Sequence, residues 1–136
     1  VGSNHRGQCD IPVLADGATY IQVAAGHDHT VLLKSNGTAV ACGWNQEPLT
    51  HDWPVPGQCD IPALADGDTY TQVAAGGRHT VLLKSNGKAV ACGENDDGQC
   101  ALPTWADEAI YIQAVAAGCY HTVLLKSDGS AVAFGR

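Results

Sequence analysis

Three histidines, each followed by threonine, invite a chemical reading first: His29-Thr30, His79-Thr80 and His121-Thr122. Imidazole is a common metal ligand and the usual general base near neutral pH. A zinc site, however, needs its ligands to converge on one point. These histidines stand 50 and 42 residues apart, at one position of a repeated sequence. Equivalent positions on successive modules spread around an axis, so they do not converge. The expectation is a structural histidine whose ring satisfies backbone groups inside its own module, with no metal and no cofactor.

The six cysteines, Cys9, Cys42, Cys59, Cys92, Cys100 and Cys119, contain no Cys-x-x-Cys. That removes zinc-ribbon and thioredoxin-type motifs. Two repeat positions hold five of them: the end of a return strand (Cys42, Cys92) and a Gly-Gln-Cys turn (Cys9, Cys59, Cys100). Cys42 with Cys59, and Cys92 with Cys100, are candidate disulfide pairs across a module junction. The competing expectation, reduced thiols packed as small hydrophobes, is favoured by Cys9, whose partner position is Val1. A redox role would require a reactive thiol of low pKa. The acidic residues Asp10, Asp16, Asp60, Asp66, Asp96, Asp97, Asp107 and Glu108 follow no calcium-loop spacing, and solvated loop charge accounts for them. No Ser-His-Asp order, phosphate-cradling glycine loop or dinucleotide fingerprint is present.

The elements that hold these residues come from repetition. Residues 8–43 and 58–93 are each 36 long and agree at 30 positions, and residues 99–135 form a looser third copy with one extra residue. A period near 41 residues falls in the propeller and solenoid range, where one module cannot bury its apolar face alone. The expected division is a single array, 1–136: repeat one at 8–57 with an inserted loop at 47–56, repeat two at 58–98, repeat three at 99–136. Val1 shares the phase of Phe134, and there is no Met, so three units cut from a longer array are expected.

Each unit opens with a strand-like run (19–25, 69–75, 110–117) ending in Ala-Ala-Gly. Small residues there suit an innermost strand near a crowded axis. His-Thr-Val-Leu-Leu-Lys-Ser follows, β-branched and aliphatic as in a buried strand. Ser-Asn-Gly (35–37, 85–87) and Ser-Asp-Gly (127–129) then predict a hairpin with a type I′ turn. The return strands are 38–42, 88–92 and 130–134. The turn-rich remainder, Gly-Gln-Cys then x-x-Pro, has room for a fourth short outer strand. Ala114, the extra residue of the third copy, reads as a β-bulge.

Copies one and two differ only at positions 13/63, 18/68, 21/71, 27/77, 28/78 and 38/88. Two of these are the adjacent pair before His-Thr: His27-Asp28, Gly77-Arg78 and, in copy three, Cys119-Tyr120. With neighbours fixed on both sides, the pair is expected at a solvent-facing loop tip on one face, as a variable contact surface. The insertion is the other candidate. Loops carry function on rigid scaffolds, and Leu49 with Trp53 supplies an aromatic anchor of the kind interfaces favour. Trp44 and Trp105 are expected to be packing residues.

The formal charge of −7 argues against a phosphate-binding surface. Lys34, Lys84 and Lys126 recur singly instead of clustering as in nucleic-acid binders, so no nucleic acid is expected as partner. No stretch reaches the roughly 18 apolar residues that span a bilayer, and membrane insertion is not expected.

The pattern Val-Ala-x-Gly-x-x-His-Thr-x-x-Leu, a hairpin Gly, then Gly-x-Asn-x-x-Gly-Gln resembles the repeat of the regulator of chromosome condensation family. It stands at 23–33 with Gly37 and Gly43; at 73–83 with Gly87, Gly93, Asn95, Gly98 and Gln99; and at 115–125 with Gly129 and Gly135. The resemblance implies all-β propeller blades, here three of a family that usually has seven. The family usually has Leu-Gly after Gly-Gln, where this chain has Cys followed by Asp-Ile-Pro or Ala-Leu-Pro. Where the family's UV-B photoreceptor carries light-sensing tryptophans, this chain has His27, Gly77 and Cys119, which removes the basis for light sensing. What the family shares is a protein-binding scaffold, and the implied function is a non-catalytic interaction module, closed by further blades or by a larger assembly. Nucleotide exchange on a small GTPase, or substrate binding in a HECT-type ubiquitin ligase, is the alternative the family offers. It implies the cytoplasm or nucleus, with organelles left open.

Overall fold

The computed structural model describes residues 2–45, 57–102, 110–115 and 118–136. Nine strands and no helix occur among them: β1 (Tyr20–Ala25), β2 (His29–Lys34), β3 (Ala39–Gly43), β4 (Tyr70–Ala75), β5 (His79–Lys84), β6 (Ala89–Gly93), β7 (Tyr111–Val115), β8 (His121–Lys126) and β9 (Ala131–Gly135). They form three separate antiparallel sheets, β1-β2-β3, β4-β5-β6 and β7-β8-β9, each a meander of one repeat. The sheets pack side by side in chain order.

The middle strand of the array, β5, explains why Val81-Leu82-Leu83 is a continuous apolar run rather than an alternating one. In β5 both faces are covered: Val81 and Leu83 join the cluster shared with Tyr111 and Leu124 of the next sheet. Leu82 joins the cluster shared with Val31 and Leu33 of the preceding one. The core is therefore two inter-sheet joints, and a strand sandwiched between neighbours reads as a continuous hydrophobic run. Burying the Leu and Val side chains of one joint stabilises it by about 1.5–3 kcal/mol per residue.

The hairpins differ from the type I′ expectation. Gly37, Gly87 and Gly129 have φ of 82°, 78° and 84°, but among the described residues no non-glycine has positive φ. Gly37 N donates to Lys34 O at 3.0 Å and Lys34 N to Thr38 O at 2.8 Å, a three-residue loop with a type I turn and a left-handed glycine. The reason lies in Asn36, whose Oδ1 accepts the Thr38 N–H at 3.1 Å. That local bond holds the asparagine in the right-handed region. Asn86 and Asp128 repeat it.

The fourth outer strand is absent among the described residues. The backbone donors of that segment are taken locally: Cys9 N by Asn4 Oδ1, Cys59 N by Asn45 Oδ1 and Cys100 N by Asn95 Oδ1. Nor does Ala114 bulge. It pairs in regular register with Leu124, and the one irregularity, between Tyr111 and Gln113, recurs at Tyr20/Gln22 and Tyr70/Gln72. Positions 116 and 117 lie outside the described residues.

Candidate functional site

The His-Thr pairs are structural, but they do not act inside their own sheets as expected. Strand alternation sends the histidine to one face and the threonine to the other. His29 Nε2 lies 2.9 Å from Thr80 Oγ1, and His79 Nε2 lies 2.9 Å from Thr122 Oγ1, each in the following sheet. Thr80 and Thr122 in turn donate to the carbonyls of Gln58 (2.7 Å) and Gln99 (2.8 Å). A hydroxyl that donates its proton must accept from the ring, which fixes the neutral Nε2–H tautomer. Burial, with the neighbouring His79 second, pulls the His29 pKa down to about 4, and burial lowers His79 as well. These rings are joints between sheets and not general bases. Among the described residues no group of three or more His, Cys, Asp or Glu is placed to hold a metal.

All six cysteines are free thiols, and neither candidate pair is bonded. Five donate to backbone carbonyls: Cys9 to Ser3, Cys42 to Gln8, Cys59 to Trp44, Cys92 to Gln58 and Cys100 to Glu94, at 3.3–3.8 Å. Burial, aided by nearby negative charge, pushes Cys59 up to about 11 and Cys92 and Cys100 to about 12. A thiol held so far above neutrality is a poor nucleophile.

The variable pair does form a surface. Gly26 N donates to His29 O at 2.8 Å and Gly76 N to His79 O at 2.9 Å, so a tight connection projects residues 27–28 and 77–78 between the first two strands of each sheet. The residue following the third strand then clamps that loop. Trp44 N donates to Asp28 O, Glu94 N to Arg78 O and Arg136 N to Tyr120 O, at 2.8–2.9 Å. Gly43, Gly93 and Gly135 make the clamp feasible: each has φ above 100°, and a Cβ there would strike the backbone of the residue pair. Every fixing bond uses main chain, which leaves the side chains for display.

Those side chains line one open cleft of about 140 Å³, made by His27, Gly77, Arg78, Cys119 and Tyr120. Adjoining it, and sharing His27, Gly77 and Cys119, is an opening of about 220 Å³ lined also by Ala25, Gly26, Ala75, Gly76 and Gly118. Gly26 has to be glycine: an added Cβ would press on its own His29 ring and lie 2.6 Å from Gly76 O. Gly77 is also set by packing, since a Cβ would stand 2.8 Å from Cys119 O. The displayed groups are therefore His27, Arg78, Cys119 and Tyr120. His27 Nδ1 meets Asp28 Oδ2 at 2.9 Å, and that bond holds the Asp28 carboxyl below its ordinary range.

The face includes one residue that sequence reasoning set aside as packing. Trp44 has two guanidiniums over its ring, Arg78 at 5.1 Å and Arg6 at 5.9 Å from the centroid, cation–π distances. Its place one residue after the third strand, hydrogen-bonded to Asp28, was the available signal. Arg78 also stands 3.8 Å from Glu94. Leu49 and Trp53 lie outside the described residues, as does Trp105.

Comparison with known proteins bears on the fold. The model of the regulator of chromosome condensation (RCC1) repeat matches residues 20–47 and 70–99. No curated protein matches the chain in sequence. Among solved structures, Prp20p from Saccharomyces cerevisiae, described with its binding to Gsp1p and histones, superposes with a TM-score of 0.74 at 19% identity, over 98% of this chain and 40% of that one. Human WBSCR16 also gives 0.74 at 19% identity, over 98% and 41%. The CRINKLY WD40 ectodomain of the Arabidopsis thaliana receptor kinase ACR4 gives 0.63 at 19%, over 90% and 40%. The chain spans about two fifths of the length of each of these proteins.

Proposed function

Because the chain is a partial β-propeller of regulator of chromosome condensation repeats, we propose that it is a non-catalytic protein-binding scaffold whose contact face is the cleft of the variable pair. One observation carries the reading. Two copies that agree at 30 of 36 positions differ at 27/77 and 28/78, and the fold gathers these positions from all three sheets into one exposed rim. His27, Arg78, Tyr120 and the Arg-flanked Trp44 give that rim the aromatic and guanidinium groups enriched at protein interfaces. Yeast RCC1 (Prp20), a structural neighbour, is itself described bound to Kap60, which supports the same kind of role here.

Two measurements test it. Crosslinking capture with the wild-type chain and with H27A/R78A/Y120A should lose its specific partners in the triple variant and keep them in D66A, an exposed loop control. Equal capture by both variants would remove the cleft from the reading. A nucleotide-release assay on small GTPases should show no acceleration, and acceleration would replace the scaffold with an exchange factor.

A further inference from the structure

Cations stand at both ends of the sheets, and the two ends hold them differently. At the hairpin ends each lysine of the first two sheets meets a carboxylate: Lys34 Nζ lies 3.5 Å from Asp16 Oδ2, and Lys84 Nζ 3.8 Å from Asp68 Oδ2. At the rim ends, Arg6 and Arg78 are held over the Trp44 ring instead. Among the described residues Arg6 forms no ion pair, and Arg78 has only Glu94, at 3.8 Å. That distance is too long for a hydrogen bond.

The main chain sets this arrangement. The turn that carries Arg6 is closed by Gly7 N on Asn4 O at 3.1 Å and by Arg6 N on Gln8 Oε1 at 3.0 Å. Arg78 stands in a clamped rim loop, its carbonyl accepting from Glu94 N, and Trp44 N is tied to Asp28 O. The acids nearby are engaged elsewhere. Asp28 Oδ2 meets His27 Nδ1 at 2.9 Å, the main cause of its lowered pKa, to which Arg6 and Arg78 add. Glu94 Oε2 accepts from Gln99 Nε2 at 3.5 Å. Two guanidiniums over one indole, with their N–H donors unspent, form a cationic surface ready for an anion. A guanidinium held on an aromatic face keeps those donors at its edge, where they match the two oxygens of a carboxylate.

We propose that the rim takes an acidic segment of its partner, whose Asp or Glu carboxylates pair with Arg6 and Arg78. This rests on the scaffold reading and names the chemistry of its partner. The chain carries a net charge of −7, so a long polyanion such as nucleic acid is repelled by the rest of the surface, whereas a short acidic segment meets the rim alone.

Fluorescence anisotropy on the full chain tests it. The probe is a short labelled peptide of alternating glutamate and glycine, compared with its glutamine and lysine counterparts and with oligothymidylate. The glutamate peptide should bind and the other three should not. Arg6→Gln and Arg78→Gln should each weaken binding about three- to tenfold, the range from an exposed to a partly desolvated ion pair. Arg6 is exposed and the Arg78 side chain is 52% exposed, so circular dichroism should not change. Glu94→Gln releases Arg78 and should tighten binding, and this opposite response decides the matter if an arginine variant loses structure. Lys34→Gln removes the same charge from the far end and should leave affinity unchanged. A glutamate peptide that does not bind, equal or stronger binding by any of the other three probes, an unchanged affinity in Glu94→Gln, or equal losses in Lys34→Gln and Arg78→Gln would each overturn the proposal. Its failure is separable from that of the scaffold reading: partners lost in H27A/R78A/Y120A, with no binding of the glutamate peptide, would remove the acidic segment and leave the scaffold standing.

Discussion

Thr30, Thr80 and Thr122 are the same residue at the same repeat position, and among the described residues only the latter two receive an imidazole from a preceding blade. Replacing each with valine keeps shape and β-branching while deleting the hydroxyl. In Thr80→Val the change leaves His29 Nε2–H and the Gln58 carbonyl without their shared partner, in a site where Thr80 and His29 are at most 1% exposed. The Gln58 carbonyl keeps the Cys92 thiol as a donor, whereas the buried ring N–H is left unpaired, at a cost of about 1–3 kcal/mol. Thr122→Val should fall in the same range, acting on His79 and Gln99. Thr30→Val removes one bond, to Gln8 O, from a half-buried residue that water can reach, and should cost about 1 kcal/mol or less. Urea unfolding of the three variants at dilute concentration measures the difference. Equal losses for Thr30→Val and Thr80→Val would refute the claim that the hydroxyl matters as a bridge between blades.

The buried histidines make stability depend on pH. The unfolded chain takes up the proton near pH 6.5 and folded His29 only near 4, so stability is full above 6.5 and falls as pH drops towards 4. The loss for His29 is about 3 kcal/mol over that window, His79 adds to it, and urea midpoints that stay flat between pH 7 and 4.5 would contradict the burial argument. Cysteine labelling should split by exposure: Cys9 and Cys119 react quickly with a thiol reagent in native protein, while Cys92 and Cys100 react slowly. Denatured, unreduced protein should then titrate all six thiols, and a shortfall would mean that the candidate pairs are oxidised.

Much of this was legible in the chain. The strands and the hairpin sites follow from local pattern, and the structure has them within a residue or so. Three things were not. The turn type turned on one side-chain bond, Asn36 Oδ1 to Thr38 N, which Asn-Gly statistics do not anticipate. The histidine's partner lies 51 residues away, and a repeat pattern says that a residue recurs without saying whether it bonds within its module or beyond. The alternation rule held the missing clue, since adjacent His and Thr on one strand must face opposite neighbours. The guanidinium partners of Trp44, Arg6 and Arg78, likewise come from distant loops.

The same bonds explain why the frame stays constant while the rim varies. Blade-to-blade contact is specified by side chains that appear in every copy: His, Thr, and the Val and Leu between them. The rim loop is held by main-chain bonds, Gly26 N to His29 O and Trp44 N to Asp28 O, which make no demand on what residues 27 and 28 carry. Converting the first rim pair to the second, His27→Gly with Asp28→Arg, should therefore shift stability by no more than about 1 kcal/mol, the usual size of a surface change plus a glycine. The reverse exchange at Gly77 should not be neutral, because a Cβ there would sit 2.8 Å from Cys119 O, and overpacking of that kind costs about 1–3 kcal/mol. Urea midpoints of the two exchanges decide the point: a large loss from the first would mean that the pair belongs to the frame, and the rim would no longer be a surface free to follow its partner.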